Sequence, residues 1–344
     1  LVRGLRDYGL EPIIWDGDNP DCEHEWGDKL ITASSAKSGG GGHKQDRNKG
    51  LWFKNYSFFC LKCSAWKGSF GHEPTPELYI KHLLEIFDEV KRVLKKNGSC
   101  WVNLADTYSG SGCGRWNAPI EIRGKQFRKC LNIDQEYLAP PRKCRHIPTK
   151  SLVGIPEMFV LGMRDRGWIR RNTIIWHKSN CMPSSVKDRF TVDFEYVYFF
   201  TKSQKYYFEQ QFEEYAESFI ATLNYRRHSK KADTGIMAGL TTENQWRAFQ
   251  RAKEKQGRNK RCVWDIPTHP FPESHFAVFP KALVEPMIRA GCPPSGIVLD
   301  PFAGSGTTLV VTESLNRRWI GIELNKSYID MAYKRLKGIQ KCLI

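Results

Sequence analysis

No run in the 344 residues approaches the roughly 20 consecutive apolar residues that a membrane span needs, and no charged start followed by an apolar core marks a signal peptide. Those absences point to a soluble, intracellular protein. Acidic residues are scarce: 37 Asp plus Glu face 53 Lys plus Arg, for a net charge of +16 and a pI near 9.3. Such a balance disfavours acid-rich surfaces and favours a polyanionic partner, nucleic acid first. A disulfide framework is also missing, because eleven cysteines are an odd count scattered through a long chain, which suits a reducing compartment. No internal repeat is evident, and the length allows one large domain with inserts or two domains.

The richest stretch runs from Gly296 to Glu323. Ile297 to Leu299 reads as a short buried strand, Gly304 and Gly306 as a tight turn, Thr307 to Leu315 as a helix and Trp319 to Leu324 as a second strand. The glycines let backbone approach a ligand, and the helix aims its free N–H groups at the same place. Neither the G-x-G-x-x-G of dinucleotide sites nor the Lys of a P-loop is present. Instead Asp300 precedes the turn, where it would repel a pyrophosphate and attract an ammonium such as that of S-adenosylmethionine. Glu323, on the second strand, is placed to accept both hydroxyls of a ribose.

Asp300-Pro301-Phe302-Ala303-Gly304-Ser305-Gly306-Thr307-Thr308 resembles the cofactor motif of amino-group DNA methyltransferases, and Gly321-Ile322-Glu323 resembles their ribose-binding strand. Phe279-Pro280 resembles the segment flanking the cofactor methionine. The resemblance implies S-adenosylmethionine contacts from these residues and from Asn325. Gly4 to Gly9 resembles the segment that follows the family's catalytic motif, Asp/Asn/Ser-Pro-Pro-aromatic. That motif is absent: the Pro-Pro pairs in Ala139 to Arg142 and Cys292 to Ser295 lack the aromatic residue. Because the chain opens at Leu1 in mid-pattern, the motif is expected upstream, and the catalytic residues stay unassigned.

A second constellation lies near the start. Phe59-Cys60-Leu61-Lys62-Cys63 is a C-x-x-C knuckle, and Cys22 with His24 completes a four-ligand set for structural zinc, closing the Gly- and Ser-rich stretch 33–50 as a mobile loop. A redox pair at Cys60 and Cys63 is the rival reading, and His43 is a substitute ligand.

Thr75-Pro76 signals a helix start, with an apolar stripe from Leu78 to Leu94 and a stop at Asn97-Gly98. Ser99 to Ala105 reads as a buried strand that delivers Asp106 and Tyr108 to the sheet's carboxyl edge. Asp106 there either faces the ligands and contributes to catalysis with Tyr108, or caps a loop. A basic stretch, 109–150, precedes a second helix over Pro148 to Met163. Strands Trp168 to Trp176 and Phe194 to Phe200 follow. Between them, Asn180 to Arg189 resembles a loop near the target base in the family, although ordinary hairpin chemistry also accounts for it. From Gln210 to Asp265 the charge concentrates, with Arg226, Arg227, Lys230, Lys231, Arg247, Arg258, Lys260 and Arg261 interleaved with Trp246 and Phe249. That pattern is a candidate DNA-recognition insert, the alternative being a solvated face. A helix over His275 to Ile288 and a tail helix over Ser327 to Leu336 complete the reading.

The order, with catalytic-side strands first, a recognition insert next and the cofactor unit last, resembles the beta class of amino-group DNA methyltransferases, of prokaryotic or phage type. The resemblance implies a circularly permuted, Rossmann-like α/β sheet, mostly parallel with an antiparallel edge hairpin. Residues 1–20 and 74–208 form the catalytic-side part, 21–73 a zinc-knuckle insert, 209–267 the recognition insert and 268–344 the cofactor part. The implied activity is site-specific methylation of double-stranded DNA, of the restriction-modification kind, in the cytoplasm. The methyl goes to the amine of a flipped base, cytosine N4 ahead of adenine N6. A non-catalytic DNA-binding homologue and an RNA or protein methyltransferase are the alternatives.

Overall fold

The computed structural model describes residues 12–16, 19, 21–27, 30–31, 56–109, 147–214, 257–269 and 278–339. Near the start, β1 (Ile13–Trp15), β2 (Leu30–Ile31), β3 (Tyr56–Phe59) and β4 (Trp66–Gly68) form a small antiparallel sheet in the order β1-β4-β3-β2. Helix α1 (Pro76–Val93) starts as the sequence predicts: Thr75 accepts the Leu78 N–H at 3.2 Å, with Pro76 in the first turn. It ends at Val93, one turn before Asn97-Gly98.

After α1 come β5 (Ser99–Leu104), α2 (Ile155–Asp165), β6 (Ile169–His177) and β7 (Phe194–Thr201). A two-residue ladder, β8 (Phe212–Glu213) with β9 (Arg258–Asn259), precedes β10 (Val263–Asp265). The chain continues through α3 (Lys281–Gly291), β11 (Ile297–Asp300), α4 (Thr307–Ser314), β12 (Arg318–Gly321) and α5 (Lys326–Lys337).

The main sheet has the order β10-β6-β7-β5, and β11 with β12 forms a parallel pair. Strand β7 runs antiparallel to both β5 and β6, whereas β10 lies parallel to β6. The expected antiparallel edge hairpin is therefore corrected: among the described residues β7 is interior, and the edge beyond β6 is β10. The sequence assigned Val263 to Asp265 to the recognition insert because a three-residue strand carries too little alternation to register. Helix α2 also begins at Ile155 rather than Pro148. Lys150 (φ 73°) and Gly154 (φ 82°) take left-handed conformations that a right-handed helix cannot include, and Pro156 then suits the first turn.

Two cores hold the sheet. One face packs Phe87, Leu104, Ile155, Phe159, Met163 and Phe200 under α1 and α2. The opposite face packs Ile174, Trp176, Val197, Trp264 and Leu283 under α3. Trp101 stacks on Phe199 at 4.2 Å, and Ser99 Oγ donates to the Gly291 carbonyl at 3.3 Å, which fixes the end of α3 on β5. The registers Leu104↔Tyr196 and His177↔Phe194 bring Asp106, the β6–β7 loop and the end of β10 to one end of the sheet. Among the described residues no helix is long and apolar enough to cross a membrane.

Candidate cofactor site and its surroundings

Asp300 closes β11 opposite Gly321. Its Oδ1 accepts the Phe302 N–H at 2.9 Å, and the Thr308 side chain bonds the same carboxylate. Burial, aided by the neighbouring Glu323 carboxylate, pushes this carboxyl above the ordinary Asp range, although it is not sealed from solvent. Glu323 lies two residues beyond β12 rather than within it, which corrects the strand limits read from sequence. Its Oε2 accepts the Gly304 N–H and its Oε1 the Asn325 N–H, both at 2.8 Å. A carboxylate offers about four acceptor positions, so each acid keeps roughly two for a ligand.

Gly304 (φ 52°) and Gly306 (φ 78°) adopt the left-handed region, and a β-carbon on Gly306 would lie 2.7 Å from Ala332 Cβ. Gly306 also starts α4 without a side-chain cap, which leaves first-turn N–H groups for an incoming acceptor. Beneath the turn, Arg335 Nη1 of α5 donates to the Ser305 carbonyl at 2.6 Å, to Ser305 Oγ at 2.9 Å and to Thr307 Oγ1 at 3.1 Å. The hydroxyls of Ser305 and Thr307 are thus buried against α5. Ala303 is buried and ties the turn to Ile322 O through its N–H at 3.0 Å, whereas Pro301 is half-buried and Phe302 is 45% exposed. Asn325 caps α5 by accepting the Ser327 N–H. Pro280 stands at the N-terminal boundary of α3 without a side-chain cap, and Phe279 packs between two cores.

The four proposed metal ligands also converge. Cys22, His24, Cys60 and Cys63 place all their ligand atoms within 4.8 Å of one another. Cys22 Sγ lies 3.9 Å from Cys60 Sγ, and Cys63 Sγ lies 3.4 Å from His24 Nδ1. Zinc–sulfur bonds of about 2.3 Å at tetrahedral angles set sulfurs about 3.8 Å apart, so the donor set fits zinc. His43 lies outside the described residues.

A family model described as DNA methylase, for the N6/N4 methyltransferases, matches residues 42–334. The chain belongs to that family. Type II methyltransferase M.Cfr9I of Citrobacter freundii is 35% identical to the methylase over 269 residues, covering 78% of this chain and 74% of the relative. M.SmaI of Serratia marcescens is likewise 35% identical, over 78% of this chain and 77% of its own. Among solved structures, the cytosine-N4-specific PvuII DNA methyltransferase matches with a TM-score of 0.49 at 16% identity, covering 78% and 73% of the two chains.

In the methylase, Asp106 serves a helix start. Its carboxylate accepts the N–H groups of Thr107, Gly154 and Ile155 at 2.8 to 3.1 Å, capping α2 from the end of β5. Of the two roles read from sequence, the geometry supplies the cap. The Arg189 guanidinium lies 3.4 Å from the Tyr108 ring centroid. Asn180 clamps the β6–β7 loop to the exit of β10, donating to Thr268 O at 2.7 Å while its Oδ1 accepts from the Thr268 N–H at 2.7 Å. Arg258 and Arg261 both bond Glu213 Oε1, at 2.8 and 2.5 Å, and Lys260 sits over Trp264. Arg226, Arg227, Lys230, Lys231 and Arg247 lie outside the described residues. The sequence reading missed Arg335, since a lone Arg on an amphipathic tail helix gives no sign that it reaches back 30 residues.

Proposed function

We propose that the full-length protein transfers a methyl group from S-adenosylmethionine to the exocyclic amine of a base in double-stranded DNA. The observation that carries this is the pair Asp300 and Glu323. Both are held by backbone N–H groups around the glycine turn, and each keeps about two free acceptor positions. Two free positions on Glu323 suit a vicinal diol, and an anionic Asp300 suits an ammonium; a pyrophosphate would be repelled by both.

Bound there, S-adenosylmethionine supplies a methyl on a sulfonium sulfur. The chain's part would be to hold the two ends of that molecule, its ammonium at Asp300 and its ribose at Glu323, so that the methyl is presented for transfer to the amine. The base lies inside the duplex, so it must leave the stack to react. Cytosine N4 is slightly favoured over adenine N6, because Gly4 to Gly9 resembles the segment that follows a Ser-Pro-Pro-Tyr form of the catalytic motif in prokaryotic and phage methyltransferases. Since Glu213 neutralises part of the 258–261 cluster, phosphate binding is assigned chiefly to Arg226, Arg227, Lys230, Lys231 and Arg247. Cys22, His24, Cys60 and Cys63 hold a structural zinc, and the enzyme works in the cytoplasm.

Transfer of tritiated methyl groups to unmethylated duplex DNA, followed by nucleoside analysis, tests the proposal. N4-methylcytosine is expected. Label in RNA or protein but not DNA would overturn it, and N6-methyladenine would overturn the choice of base alone.

A further inference from the structure

We propose that the zinc site braces the cofactor turn, so that metal loading sets the affinity for S-adenosylmethionine. The inference rests on the two site assignments just made and adds a physical connection between them. The ligand-bearing segments are joined by backbone: Gly27 N–H donates to Phe59 O at 2.9 Å, Leu61 N–H donates to Glu25 O at 2.8 Å, and Trp26 bridges to Cys60. The knuckle itself is wrapped by Cys60 N–H to Ala65 O at 2.8 Å and Ser64 N–H to Cys60 O at 2.9 Å. The next residue, Trp66, is fully buried and starts β4.

From Trp66 the contacts run without a break to the cofactor turn. Trp66 and Trp15 each stack on the fully buried His82, at centroid distances of 5.4 and 4.5 Å and interplanar angles of 25° and 20°. His82 is held by Glu73 Oε1 at 3.0 Å and Asp16 Oδ2 at 3.2 Å. Trp15 packs on Phe70 at 5.6 Å, and Phe70 stacks on Phe302 at 5.8 Å with the planes 15° apart. Phe302 stands directly after Asp300-Pro301 and donates its N–H to Asp300.

The small sheet has strands of two to four residues. Strands so short bury too little to hold one arrangement alone, which is where small units use metals. Removing the metal therefore frees Trp66, Trp15 and Phe70 to shift, and Phe302 loses the ring that fixes it. One aromatic pair corresponds to a change in affinity of about two- to tenfold.

The test is calorimetric titration of S-adenosylmethionine into the protein as purified, after chelation and after zinc is restored, with zinc measured by mass spectrometry. About one zinc per chain is expected, with Kd rising on chelation by about two- to tenfold and recovering with zinc. Cys63→Ser should lose zinc and bind weakly. Phe70→Leu should keep zinc and still bind weakly, which separates bracing from metal holding and guards against simple misfolding of the cysteine variant. Stripped protein binding with unchanged Kd, Phe70→Leu binding normally, or failure to take up added zinc would each overturn the inference. A zinc-loaded protein that binds no S-adenosylmethionine would instead sink the cofactor assignment, and the inference with it.

Discussion

Asp300→Asn separates what the cofactor turn needs for binding from what it needs for stability. Asn is nearly isosteric with Asp; its Oδ1 can still accept the Phe302 N–H, and its amide can still meet Thr308. The substitution therefore removes charge with little change of shape. Burial raises the folded-state pKa of Asp300 above its ordinary value of 3.8. A raised carboxyl contributes stability that is present below the unfolded pKa and lost as pH rises through the folded one. Above the folded-state pKa the wild-type protein carries a charge that the fold resists, and Asn does not. The variant without cofactor should melt at a higher temperature than wild type at neutral pH, and the gap should close as pH falls towards the ordinary carboxylate range. Binding should move the other way. Loss of one charge-assisted hydrogen bond costs about 1.5–3 kcal/mol, which is roughly 10- to 150-fold in Kd. Thermal melts across pH, together with calorimetry, read both quantities. A lower Tm at neutral pH, a gap that widens on acidification, or an unchanged Kd would refute the reasoning.

Glu323→Gln should weaken binding and stability together, because its amide nitrogen cannot accept the N–H of Gly304 or Asn325; calorimetry and melts showing only one effect would contradict the dual role. Gly306→Ala should lower stability by at least about 1–2 kcal/mol for the left-handed backbone, and more for the contact with Ala332, as measured in urea. Asp106→Ala should cost about 1–2 kcal/mol through the lost cap on α2 while leaving the Kd for S-adenosylmethionine unchanged. A shift in that Kd would return Asp106 to the ligand site.

The cofactor unit was readable because its signals are local. Strand, glycine turn, helix and acid follow one another within 28 residues of sequence, and each leaves its own residue type behind. The convergence of Cys22, His24, Cys60 and Cys63 was readable for a related reason, since the C-x-x-C spacing carries its own geometry. What escaped was non-local or very short. Arg335 acts on Ser305 from across two elements, and Phe70 acts on Phe302 from the far end of the chain. Neither residue differs in type from an ordinary surface cation or core aromatic. Asn180 is tied to Thr268, 88 positions away, a pairing that local spacing does not reveal.

The two-residue ladder between Phe212-Glu213 and Arg258-Asn259 has a bearing on how the main sheet tolerates changes in the segment between those strands. It brings the two ends of residues 215–256 side by side, cross-tied by Glu213 to Arg258 and Arg261, before the chain re-enters the sheet at Val263. A loop whose ends are already closed can change length cheaply, at about 0.6 kcal/mol per doubling. A change in the length of the segment between these two strands is therefore absorbed before the chain reaches β10, and the main sheet is spared the disturbance.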